Sequence, residues 1–241
     1  LSRLANELSA ALRFLTRLPV PGAATPHGFG AGAFPLVGLV LGGVALFVDR
    51  LAAPFPVAVR DVLVLAVWAW ITGAIHYDGL ADTFDALGVS GREGRLRVMR
   101  DGAVGVFAVL AVAFVVAAEL AALAELRGRA RAGALLLAPV LGRWAMVATG
   151  AAAPSARPEG LGAAFAREVG RRDLVVATLT ALSLTVVIAG ARGAVAWLVV
   201  AVEAVALRRF ATSAFGGVTG DVIGAAGVIA ETVSLVLAAS R

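Results

Sequence analysis

The pattern of apolar and polar positions opens with an amphipathic stretch. Leu4, Leu8, Leu12 and Leu15 recur at helical spacing with Arg3, Glu7, Arg13 and Arg17 between them, and Pro19 and Pro21 stop the run. The spacing predicts a surface helix over residues 1–18 lying in a membrane interface. A Gly/Pro/Ala-rich loop containing His27 follows, and the first apolar run starts near Ala33, too late for a cleavable signal peptide. Apolar runs cover 33–49, 62–77, 103–124, 134–152, 174–190, 193–209 and 222–240. A helix needs about 20 apolar residues to cross a hydrocarbon core roughly 30 Å thick, so these runs predict transmembrane helices. The second is short, and the tight 190–193 turn allows a re-entrant pair, so the count is six or seven. The predicted fold is all-α: a polytopic integral membrane helical bundle with an N-terminal interfacial helix, and residues 1–241 form a single membrane-embedded domain.

Composition agrees. Hydrophobic residues make up 60% of the chain and charged ones 15%, with a mean hydropathy of +0.92, which excludes an ordinary cytosolic enzyme. No cysteine is present, so disulfide and thiolate chemistry are excluded. All 21 basic residues are arginine, against 16 acidic ones, and the arginines are spread over short interhelical loops. That distribution fits positive-inside bias and argues against nucleic acid as a partner. With seven spans and the N-terminus inside, thirteen arginines fall on the cytoplasmic side and seven opposite, while Arg143 falls within a span. The expected location is a prokaryotic cytoplasmic (inner) membrane, with the segments around Asp78–Asp101 and Asp221 facing the cytoplasm. Gly38 and Gly42, like Gly220 and Gly224, have the four-residue spacing of closely packed helices. No repeat of 20–50 residues and no inverted halves are visible.

The chemistry is concentrated between His76 and Asp85. Asp78, Asp82 and Asp85 fall within eight positions and lie within about 60° of one another on a helical face. Three carboxylates on one face repel, and proton uptake, arginine pairing or a bound cation would each relieve them. Hard carboxylate oxygens suit Mg²⁺, which usually binds through one or two carboxylates together with substrate phosphates. Asp78 and Asp85 stand about 10 Å apart along a helix axis. One ion therefore needs Asp82 with a neighbour, or a carboxylate from another helix. Two ions bridged by Asp82 would match the roughly 3.5–4 Å spacing of two-metal phosphoryl sites.

Arg100, Asp101 and Gly102 form a second candidate group, facing the aspartate helix if their loop folds back. Guanidinium groups suit phosphate oxygens. Arg143 lies inside an apolar segment, where it costs about 2.5–3.5 kcal/mol and needs a partner. Glu119, Glu203 and an anionic substrate are the candidates. Gly216 to Ala225 reads as a glycine-rich turn running into a helix start, with Thr219 or Asp221 as its cap and backbone N–H groups able to meet phosphate. His76, two residues before Asp78, is a candidate base.

Several stretches together resemble the cobalamin synthase family, the adenosylcobinamide-GDP ribazoletransferases. They are Phe14 to Pro21, His76 to Asp85, Met99 to Gly102 with Gly105, Leu141 to Trp144, and Gly216 to Asp221. The likeness runs from about residue 8 to 235, and Tyr77 departs from it. The resemblance implies that α-ribazole or its 5′-phosphate attacks the cobinamide-linked phosphorus of adenosylcobinamide-GDP, and GMP leaves with Mg²⁺ assistance. It implies metal ligands at Asp78, Asp82 and Asp85, and Asp101 or His76 as proton acceptor. Arg100, Arg143, Thr219, Gly220 and Asp221 would bind substrate. The implied partners are the corrinoid-GDP and α-ribazole substrates and membrane lipid, with a homo-oligomer left open.

Two other classes compete. A membrane enzyme joining a CDP-activated group to an alcohol would also use an aspartate-rich helix and Mg²⁺, but Asp82-Thr83 stands where its Ala-Arg pair is expected. A cation-coupled transporter would also carry intramembrane acids, though at the midplane and with inverted repeats.

Overall fold

The computed structural model describes residues 2–20 and 28–240; Pro21, His27 and the side chains of Arg3 and Arg241 lie outside the described residues. The described residues form α-helices joined by turns. They are α1 (Ser2–Leu15), α2 (Phe34–Leu51), α3 (Val57–Thr72), α4 (Ile75–Asp85), α5 (Arg92–Val98), α6 (Val106–Glu125), α7 (Gly128–Gly150), α8 (Leu161–Glu168), α9 (Arg171–Phe215) and α10 (Gly220–Ala239). Five of these are long and apolar enough to cross a membrane, and α3 with α4 makes a sixth as a bent pair. The chain is an integral membrane protein.

The centre of the bundle is α7, which packs against α2, α9 and α10. Leu141, Trp144, Ala145 and Val147 on α7 are buried with Phe34, Val37 and Leu41 of α2. The predicted close approach at Gly38 and Gly42 is observed. Their Cα atoms lie so near the α7 backbone at Pro139–Val140 and Leu135–Leu136 that a methyl group would collide with it. Helix α1 buries Ala11 and Leu15 at one end of the bundle while Leu4 stays exposed. Its exit is tied to α3 by Arg17 N–H donating to the Ile71 carbonyl at 2.7 Å.

The 62–77 span is corrected. Helix α3 ends at Gly73 and restarts after Ala74, both in the left-handed region with φ of 67° and 56°, and the two helices meet at 89°. Apolar residues run through this elbow, so periodicity alone carries the helix past its end. The runs at 174–190 and 193–209 fall in the single 45-residue α9, which turns at Gly190 with φ 58° and ψ −137°. Both of its ends lie beside Ala152. Ala152 N–H donates to Val169 just before α9, and Arg208 near its C-terminus donates to the Ala151 and Ala152 carbonyls at 3.0 Å. The helix is therefore a hairpin whose legs, ~28 and ~37 Å at 1.5 Å per residue, are each long enough to cross.

These connections sort the loops onto two ends. The segments at 86–105, 151–170 and 215–220 meet at one, together with α1. The turns at 52–56, 126–128 and 190 lie at the other. Among the described residues, the predicted arginine partition follows the same division.

Candidate active site

The chain from α9 to α10 builds one wall of the site. Gly216 ends α9 at φ 81°, and Val218 then pairs with the 154–156 strand-like segment: its N–H donates to Pro154 at 2.8 Å, and Ala156 N–H donates to it at 3.0 Å. Thr219 caps α10, its hydroxyl accepting from Val222 N–H at 3.2 Å. This is the cap expected from the sequence, and it leaves the N-terminus of a 20-residue helix at the rim of a cavity.

That cavity, of about 240 Å³, lies between α1, the first turn of α4, the 155–162 loop, α8 and α10. One side is apolar, with Phe14, Leu15, Met146, Phe165 and Ile223. The other carries His76, Asp78, Ser155, Arg157, Glu159, Thr219, Gly220 and Asp221. Gly79 brings the two acidic helices together, because without a side chain it seats against the backbone of Asp221. The charges acting on Asp82 are those of Asp221, Asp78 and Asp85, opposed by Arg157. Arg157 Nη2 stands 3.8 Å from Asp221 Oδ2, and among the described residues no donor reaches that buried oxygen within hydrogen-bond distance.

The expected residues divide into three groups. His76, Asp78, Thr219, Gly220 and Asp221 line the cavity, with Asp82 one turn beyond Asp78 on α4. Asp85 does not line the cavity. Its carboxylate accepts from the N–H groups of Gly105 and, at 2.8 Å, Ala108, and so caps α6. Arg100 and Asp101 are exposed and outside the cavity lining. The neighbouring Met99 is the residue that docks, its sulfur 3.9 Å from the Thr219 hydroxyl.

Arg143 has a different partner from the two acids weighed in the sequence. It is 3% exposed and ion-paired with Glu231 of α10, neither with Glu119 or Glu203 nor with the cavity. Glu119 instead accepts from Tyr77 Oη at 2.7 Å and Thr232 Oγ1 at 2.9 Å. Sequence reasoning missed Arg157 as a site residue because it reads as one more loop arginine. Only the pairing of Val218 with the 154–156 segment brings it to Asp221. Among the described residues, no group of three His, Cys, Asp or Glu side chains converges closely enough to cage a metal ion.

Fold and site together define a polytopic membrane protein with an acidic pocket, one arginine and a helix N-terminus at one end of its bundle. Residues 7–239 match the family described as Cobalamin-5-phosphate synthase, and the chain belongs to that family. It is 39% identical over 236 residues to a protein from Roseiflexus sp. named adenosylcobinamide-GDP ribazoletransferase, covering 95% of this chain and 87% of the relative. Proteins of the same name from Pseudomonas paraeruginosa and Acetivibrio thermocellus are 38% and 33% identical, with 96% and 93% of both chains covered. No solved structure matches. The family match sets aside the CDP-alcohol and transporter readings.

Proposed function

We propose that the chain is an adenosylcobinamide-GDP ribazoletransferase whose reaction centre is the cavity between α4 and α10. The observation that carries this placement is the meeting of Asp78, Asp82 and Asp221 around Gly79, with Arg157 opposing the charge of Asp82 and Asp221. In the reaction, a hydroxyl of α-ribazole or its 5′-phosphate attacks the cobinamide-linked phosphorus, the bond to the GMP oxygen breaks, and GMP leaves. His76 lines the cavity beside Asp78 and accepts the hydroxyl proton; the exposed Asp101 is the second choice. Arg157 and the first N–H groups of α10 hold phosphate oxygens. The apolar side, with Phe14 and Phe165, excludes water from the transfer.

The acidic residues fit Mg²⁺. Asp78, Asp82 and Asp221 offer hard oxygens, the undonated Asp221 oxygen has room for a further partner, and the set is too open to hold an ion without substrate phosphates. Held there, the ion would neutralise charge on the diphosphate and on departing GMP.

The test is GMP release by purified protein in detergent, supplied with adenosylcobinamide-GDP and α-ribazole. Turnover that stops with chelator and returns with Mg²⁺ is expected; turnover indifferent to chelator overturns the metal assignment. The cavity faces the cytoplasm in this reading. Because the chain has no cysteine, Ser90→Cys can be labelled selectively in cells, and reaction with an impermeant reagent from outside would reverse the orientation.

A further inference from the structure

The end of the bundle away from the catalytic pocket holds a second cavity, of about 250 Å³, between the start of α7, the α9 hairpin and the C-terminal turns of α10. Arg129 and Arg192 stand among its lining residues, and no acidic side chain lines it. Both arginines are exposed, and among the described residues neither has a carboxylate partner. The walls behind them are apolar, with Leu137, Leu141, Ile188 and Leu237 prominent.

We propose that this cavity binds an anionic phospholipid, with one acyl chain in the apolar groove and the phosphate between Arg129 and Arg192. Three observations carry it. Two unpaired guanidinium groups in one cavity repel each other and complement an anion. The groove follows α7 from Arg129 to Leu141, ~18 Å at 1.5 Å per residue, which is close to the half-thickness of a hydrocarbon core. The arginines sit at the bundle end, where α7 begins and α9 turns, and leave the deeper surface apolar. A zwitterionic lipid fills the same groove without a net charge for the arginines, so selectivity should depend on the headgroup.

Native mass spectrometry of the full chain in detergent tests this, with phosphatidylglycerol and phosphatidylcholine of identical acyl chains offered in equal amounts. Retention of phosphatidylglycerol roughly tenfold or more above phosphatidylcholine is expected. The Arg129→Gln/Arg192→Gln variant should lose that preference while keeping its rate of GMP release. Gly133 faces Ile188 at the groove, so Gly133→Leu should reduce retention of both lipids. Inorganic phosphate should not displace the bound lipid. Equal retention of the two lipids by the unaltered protein overturns the proposal. So do an unchanged preference in the double variant, full displacement by phosphate, and a lipid-free dimer that closes the groove. If the double variant does not fold, Arg192→Gln and the preference of the unaltered protein decide.

Discussion

The two ends of the bundle handle charge in opposite ways. Away from the pocket, Arg131 lies between Asp49 at 2.7 Å and Asp61 at 2.6 Å and donates to the Leu123 carbonyl at 2.7 Å, while Arg60 reaches Asp49 at 2.7 Å. Asp49, Asp61 and Arg131 are buried, and both buried carboxylates have a guanidinium in contact. At the pocket end, Arg157 stands 3.8 Å from Asp221, no guanidinium is in contact with Asp78 or Asp82 among the described residues, and there one oxygen of Asp221 has no donor. Closed pairing fastens α2, α3 and α7 to one another. Incomplete pairing leaves negative charge aimed at a cavity, which stabilises the fold less and prepares the site for cations and phosphates.

The largest effect should separate these two roles. Asp82→Asn and Asp221→Asn are each expected to lower turnover by roughly 10³-fold, the scale of removing one electrostatic stabiliser of a transition state. Thermal unfolding in detergent should show an unchanged or raised midpoint, because a repelling charge is gone. A near-normal rate at saturating Mg²⁺ would refute the assignment. Arg131→Met should do the reverse, costing about 3–5 kcal/mol of stability by stranding the buried Asp61 and leaving Asp49 with Arg60 alone, while sparing the turnover of what remains folded.

Arg143→Ala belongs with Arg131 rather than with the pocket. It should lower thermal stability by a similar ~3–5 kcal/mol without raising KM, and pairing it with Glu231→Met should recover part of the loss. A raised KM at unchanged stability would return Arg143 to the substrate. Asp85→Ala should cost about 0.5–2 kcal/mol as a lost cap of α6, with a much smaller fall in rate than Asp82→Asn gives. The smallest change is expected from Arg60→Gln, about 0.2–1 kcal/mol, since its guanidinium is partly exposed and Arg131 still holds Asp49.

Much of the architecture is legible in the chain because lipid permits few solutions. The apolar runs at 33–49, 103–124, 134–152 and 222–240 fall on α2, α6, α7 and α10, and the arginine-rich segments gather at one end. The elbow at Gly73–Ala74 is not legible, since hydrophobicity continues through it and only backbone angles change. The site divides in the same way. Thr219 and Asp221 are visible from local turn chemistry, and the possibility that another helix supplies a carboxylate follows from the ~10 Å spread of the three aspartates. Which helix supplies it depends on Gly79 meeting Asp221, a contact between positions distant in the chain. Arg157 and Glu231 are missed for that reason, and the capping of α6 by Asp85 is not legible because its partner amides lie 20 and 23 residues further on.

The right-angled elbow also bears on how the protein enters its membrane. Had α3 run straight on, His76, Asp78 and Asp82 would have extended the spanning rod, and an aspartate at mid-bilayer costs about 2.5–3.5 kcal/mol on insertion scales. Turned sideways, the acidic stretch stays at one end of the bundle and out of the spanning rod. The price in the backbone is one alanine held at positive φ, so Ala74→Gly should ease assembly, and any bulkier residue there should show first in the yield of inserted protein.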